Sequence, residues 1–160
     1  MQEEILQILQ DDARATPAQI AERLGRSPRW VRSRIKELEA QGIIHKYKAV
    51  VNWDKAEHER VFAFITVRVT PQRGVGFDAV AERILRFPEV HSLYLMSGAY
   101  DLHVVVQGDS MKEVAYFVAE KLAPLEHIQS TATHFVLKRY KVDGDILTEI
   151  ESAERLPVTP

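Results

Sequence analysis

The chain contains no cysteine. This excludes a disulfide framework and thiolate metal sites, and it is compatible with a reducing compartment. No apolar run approaches the ~18 residues that a membrane-spanning helix needs. The first residues, Met1-Gln2-Glu3-Glu4, are acidic and lack the basic stretch that opens a signal peptide. The expectation is a cytoplasmic chain with no membrane partner. The six histidines (His45, His58, His91, His103, His127 and His134) form no pair at the spacing of metal ligands on one helix turn. Gly-rich phosphate loops and nucleophile motifs are also missing. No metal, cofactor or catalytic residue is expected.

What is present is a globular composition with an uneven charge. The 160 residues are 46% hydrophobic, enough for one large or two small cores, and carry a formal net charge of only −2. From Arg23 to Lys48, however, eight Lys/Arg face two Glu, a local excess of +6. From Lys55 onward, twelve basic residues meet fifteen acidic ones. A basic patch on a near-neutral chain predicts that one part meets an anionic polymer and another part does something else.

The basic patch is centred on Ser27-Pro28-Arg29-Trp30-Val31-Arg32-Ser33-Arg34-Ile35-Lys36-Glu37-Leu38-Glu39. Ser27 is a favoured N-cap, Pro28 suits the first helical position, and Gly42 follows as a stop. Val31, Ile35 and Leu38 recur at helical spacing and predict a core-facing stripe. Arg29, Trp30, Ser33, Arg34 and Lys36 remain for the other side. Ahead of this helix, Thr16-Pro17-Ala18-Gln19 predicts another helix start with a capping box, continued by Ile20 and Leu24. Gly25-Arg26 then turns the corner. A short helix, a Gly turn and a longer basic helix form a helix-turn-helix pattern, whose second helix enters the major groove of DNA. A further amphipathic helix is expected from Glu3 to about Gln10, with Ile5, Leu6, Ile8 and Leu9 inward. Ile43 to Val51 is β-branched and aromatic and reads as a strand or short wing, on which Lys46 and Lys48 would meet phosphate.

After the polar stretch 53–60 the period changes. Val61 to Thr70 alternates, with Val61, Ala63, Ile65, Val67 and Val69 on one face and Phe62, Phe64, Thr66 and Arg68 on the other. A turn at Pro71–Gly74, a helix at Phe77–Phe87, strands at Val90–Met96 and Leu102–Gln107, a helix at Met111–Leu122 and a strand at Gln129–Val142 follow. This β-α-β-β-α-β order is the ferredoxin-like unit, which places both helices on one face of a four-stranded sheet. The open face, with Phe62 and Phe64, predicts a partner, most simply a second copy of the chain. The fold class is thus α+β, with an N-terminal three-helix, winged-helix-like domain over 1–52, a linker over 53–60, a ferredoxin-like domain over 61–142 and an acidic tail over 143–160.

These pieces resemble the Lrp/AsnC family of bacterial and archaeal regulators from about Ile5 to Val142. The resemblance is carried by Ile20-Ala21-Glu22-Arg23-Leu24-Gly25-Arg26-Ser27-Pro28, by Val31, Arg34-Ile35, Leu38-Glu39, Gly42-Ile43-Ile44, Tyr47, Ala49 and Asn52, and by Ser97-Gly98-Ala99-Tyr100-Asp101. It implies dimerisation through the sheet, assembly often to octamers, and a small effector, usually an amino acid, held near the Gly-x-Tyr-Asp turn. Trp30 and the acidic tail depart from the usual pattern. The expected effector residues are Ser97, Gly98, Ala99, Tyr100 and Asp101, with Thr131 and Thr133 nearby. Asp101 would take an ammonium, and Gly98 would permit close backbone approach. Arg29, Trp30, Ser33 and Arg34 are the expected base-edge contacts on double-stranded DNA, Lys36, Lys46 and Lys48 the phosphate contacts, and Ser27 a further DNA-binding residue at the start of the helix.

Two other readings compete. One is an amino-acid sensor that does not bind DNA. The other is an enzyme resembling the sirohaem decarboxylases, which share the architecture. Their Arg-Arg-Phe-Gly-Ala run is replaced here by Lys46-Tyr47-Lys48-Ala49, and an enzyme has no need of the basic face on the recognition helix.

Overall fold

The computed structural model describes residues 2–57, 60–70 and 76–148. The chain divides into two compact units, Met1–Val51 and Asn52–Pro160.

The first unit holds α1 (Gln2–Asp11), α2 (Pro17–Leu24) and α3 (Pro28–Ala40). Ile5, Leu9, Ile20, Ala21, Val31 and Leu38 form its core, with Leu6, Ile8, Leu24, Trp30, Ile35 and Ile44 packed around them. Local chemistry sets each helix end. The Thr16 hydroxyl accepts the Gln19 N–H, while the Gln19 side chain accepts the Thr16 N–H at 2.8 Å, closing a capping box. Gly25 takes the left-handed conformation (φ 62°), and Arg26 N–H reaches back to the Ala21 carbonyl at 3.0 Å. This Schellman-type closure ends α2 and aims the chain into α3. Ser27 caps α3 by accepting the Trp30 N–H at 3.2 Å. Gly42 (φ 69°) closes its far end, where Ile43 N–H bonds the Leu38 carbonyl.

The strand or wing expected over Ile43–Val51 does not form; residues 45–52 carry no regular structure. The composition suits a strand, but no neighbouring segment pairs with it among the described residues, and a lone strand has no hydrogen-bond ladder. Tyr47 instead donates its hydroxyl to Glu39 at 2.9 Å.

The second unit is built on β1 (Val61–Val69), β2 (Val90–Leu95), β3 (Leu102–Gly108) and β4 (Ile128–Phe135), in the antiparallel order β2-β3-β1-β4. The helix α4 (Gly76–Ile84) follows β1, and α5 (Met111–Phe117) follows β3. Both pack on one face: Ala63, Ile65, Val67, Val69, Leu102, Val104 and Val106 are buried with Val80, Ile84, Val114, Phe117 and Leu122. This is the ferredoxin-like arrangement. The expected helix to Leu122 changes period at Phe117, and Val118–Leu122 is a π turn closed by Ala123 N–H to the Val118 carbonyl at 2.8 Å.

The last strand is shorter than the expected Gln129–Val142. Val136 N–H bonds the Phe62 carbonyl, and there β1 has almost no residues left to pair. Leu137 is then 90% exposed. The chain makes a separate hairpin, β5 (Lys141–Val142) with β6 (Asp145–Ile146), around Asp143 (φ 49°) and Gly144 (φ 96°). Two consecutive positive φ values define the I′ type of turn that suits a two-residue hairpin. The start of the expected acidic tail is therefore structured. The expected turn at Pro71–Gly74 lies outside the described residues.

Candidate nucleic-acid interface and effector site

Helical geometry sorts the side chains of α3 into stripes. Val31, Ile35 and Leu38 turn to the core. Arg29, Ser33 and Lys36, at i, i+4 and i+7, are all exposed, as is Arg32 beside them. Between these stripes lie Trp30, Arg34 and Glu37, each only partly exposed. Arg34 donates through Nη1 to the Glu37 carboxylate one turn on. Ser27 lies at the N-terminal end of the helix, where its oxygen serves as the cap. Lys46 and Lys48 are exposed on the irregular segment that follows α3.

Trp30 differs from the other sequence-expected contacts. Its indole packs against the three-helix core. The Arg26 and Arg34 guanidinium carbons lie over its ring at 5.5 and 5.7 Å from the centroid. Arg26 lies outside the contacts that the sequence pattern predicts. The signal was present in the sequence as a spacing, Arg26-x3-Trp30-x3-Arg34.

In the second unit the turn Ser97-Gly98-Ala99-Tyr100 joins β2 to β3. Gly98 has φ 123°, and a Cβ there would meet no atom within 4 Å. Its conformation favours glycine, and within the chain the position is open. Asp101 is engaged three ways: its N–H donates to the Val67 carbonyl at 3.0 Å, its carbonyl accepts from Met96 N–H at 2.8 Å, and its Oδ2 accepts from Val69 N–H at 2.8 Å. The carboxylate thus continues the β1–β3 ladder beyond Leu102, where the strands diverge.

Tyr100 joins an aromatic group on the open sheet face. Phe64, Tyr94 and Tyr100 surround the His103 ring, with centroids 5.3, 6.4 and 6.2 Å from it. Phe64 and Tyr94 are 42% and 53% exposed. Thr131 and Thr133 pair with Val67 and Ile65, whose side chains are buried on the helix side. Cross-strand partners share a face, so both threonines lie on the side opposite Phe64 and His103. Thr131 is at the end of the sheet that carries the turn, and β1 separates it from Asp101.

Among the described residues, Tyr47 and Glu89 have shifted proton affinities. Burial pushes the Tyr47 hydroxyl up, and its hydrogen bond and proximity to the Glu39 carboxylate add to the effect. Burial would raise Glu89, but the Lys121 ammonium bonded to it and a backbone hydrogen bond outweigh this and bring it below the usual value. Among the described residues, no three His, Asp or Glu side chains are grouped to hold a metal ion, and no helix is long and apolar enough to cross a membrane.

A helix-turn-helix with an exposed basic second helix points to a DNA-binding protein, and the ferredoxin-like unit that follows is a separate second part. Comparison with known proteins agrees. The Lrp/AsnC ligand binding domain matches residues 62–146, and a winged helix-turn-helix DNA-binding domain matches residues 1–45. The HTH-type transcriptional regulator YugG of Bacillus subtilis is 49% identical over 98% of this chain and 95% of its own. The leucine-responsive regulatory protein of Rhizobium meliloti is 30% identical over 86% and 87%. Among solved structures, a transcriptional regulator of Neisseria meningitidis in complex with L-Met superposes with a TM-score of 0.72 at 28% identity, over 88% of this chain and 90% of that one. This chain belongs to the Lrp/AsnC family and is a transcriptional regulator with a helix-turn-helix DNA-binding domain and an Lrp/AsnC ligand-binding domain.

Proposed function

We propose that this regulator is a cytoplasmic protein that reads double-stranded DNA through α3 as a homodimer and responds to an amino acid bound near the turn at Ser97–Asp101. The observation that carries the reading is the stripe Arg29, Ser33 and Lys36, exposed along a helix whose opposite stripe is buried. Arg29, Ser33 and Arg34 are assigned to base edges, Lys36, Lys46 and Lys48 to phosphates, and Ser27 to the DNA-facing start of the helix. Residues 1–52 form the reading head, 53–60 the connection, 61–142 the sensing and assembly domain, and 143–160 an acidic extension.

The amino-acid effector is supported by the L-Met complex of the Neisseria meningitidis relative. Self-association is supported by the apolar open sheet face around Phe64 and Tyr94. Dimers would assemble further, to an octamer. An effector shifts such an equilibrium only by the difference in its affinity for the two assemblies. The test is fluorescence anisotropy on duplex DNA from upstream of the protein's own gene, at several salt concentrations, with and without a pool of amino acids. Binding that exceeds an unrelated duplex, falls steeply with salt and shifts with the pool is expected. If a random genomic duplex pool yields no sequence that binds more tightly than the average, the DNA-reading assignment fails.

A further inference from the structure

We infer that Trp30 determines DNA sequence selectivity as a positioning residue, holding Arg26 and Arg34 as a preset pair. The inference rests on the reading of α3 as the DNA-contacting helix, and it departs from direct base contact by the indole.

Three observations carry it. The indole is anchored, because it packs against the core of Val31, Leu38 and their neighbours and is only partly exposed. Two guanidiniums approach this one ring, Arg26 from the turn before the helix and Arg34 from one turn along it, at 5.5 and 5.7 Å. Arg34 is further held by the Glu37 carboxylate. Helical side chains lean toward the N-terminus, so a residue at i+4 falls over the ring at i.

The physical consequence is preorganisation. An arginine on a helix surface samples many rotamers, and ordering it at a base edge costs side-chain entropy. A guanidinium stacked on an anchored indole has already lost much of that freedom. The ring also holds two like charges near one another, which the Glu37 carboxylate offsets. Arg26 thereby becomes a DNA contact, alongside Arg34.

The test uses the full-length protein and a fluorescein-labelled duplex recovered by the wild type from a randomised pool. Affinity for this duplex and for an unrelated one gives a selectivity ratio at each salt concentration. Trp30→Leu keeps an apolar anchor on the core and removes the ring; Trp30→Phe keeps a weaker ring. Trp30→Leu should lower the ratio about ten-fold and Trp30→Phe by less, while the salt slope stays unchanged because both arginines remain. Combining Arg34→Ala with Trp30→Leu should cost less than the sum of the two changes, since part of the Trp30→Leu loss runs through Arg34 and the rest through Arg26.

Circular dichroism melts check that each variant folds, and if Trp30→Leu does not, the same cycle is run with Trp30→Phe. A folded Trp30→Leu that keeps the wild-type ratio within about two-fold overturns the inference, as does full additivity of either Trp30 variant with Arg34→Ala. A wild-type ratio of one overturns the DNA-reading assignment itself and this inference with it.

Discussion

The Asp101 carboxylate accepts the Val69 backbone N–H at 2.8 Å, across the end of the sheet where β1 and β3 part. The residue read from the sequence as an ammonium ligand therefore has one oxygen committed to the fold. A carboxylate on a backbone N–H is a charge-assisted bond, and removing it leaves a donor with no replacement. Asp101→Ala should lower the unfolding free energy by about 1.5–3 kcal/mol, and Asp101→Asn by less. Urea denaturation checks this. An unchanged midpoint for Asp101→Ala would show that the bond contributes nothing to stability.

The two classes of DNA contact should separate by their response to salt. Arg34→Ala should relax sequence choice by about 1–3 kcal/mol. Lys48→Ala should weaken binding to every duplex alike and reduce the salt slope by about one. Titrations at several ionic strengths distinguish them, and equal behaviour of the two variants would contradict the division into base and phosphate contacts.

Phe64 stands half-exposed against His103 on the open sheet face. A glutamate there would place a charge in any apolar interface formed by that face. Phe64→Glu should sediment as a smaller species than the wild type at equal concentration while keeping a folded circular dichroism spectrum. The same distribution of species in both proteins would remove this face from the assembly.

Glu89 on the loop before β2 is bonded to Lys121 in the π turn, and its carboxyl lies below the usual value. A carboxylate depressed in the folded state adds stability that is fully present above its ordinary value. That stability is lost as pH falls through the folded value. Lys121→Met should leave Glu89 without this partner and cost about 1 kcal/mol near neutrality. Because burial then raises Glu89, the deficit relative to wild type should shrink as the pH is taken below the carboxylate range. Melting temperatures of both proteins from neutral to acid pH test it; a constant difference would mean that the pair is not electrostatic in origin.

Local chemistry made the helix-turn-helix legible. Thr16, Gln19, Gly25, Ser27, Pro28 and Gly42 act within a few residues of themselves, so their roles are visible without neighbours. The alternation of Val61–Val69 likewise declared its buried face. The hairpin at Asp143-Gly144 carried an equally local signal, the Asp-Gly pair, which was hidden beneath the reading of that stretch as strand and then tail.

The chain by itself determined the helix starts and stops, the inward stripes and the order of elements, because caps and periodicity are properties of short segments. Only the tertiary structure decided where β4 ends, because that depends on how far β1 extends beside it. It decided that Ile43–Val51 stays irregular, since a strand needs a partner. It also decided that Thr131 and Thr133 face the helices, because register across β1 sets the face. Finally, it brought Arg26 and Arg34 to one anchored indole, a placement that depends on how tightly the α2–α3 corner packs on the core.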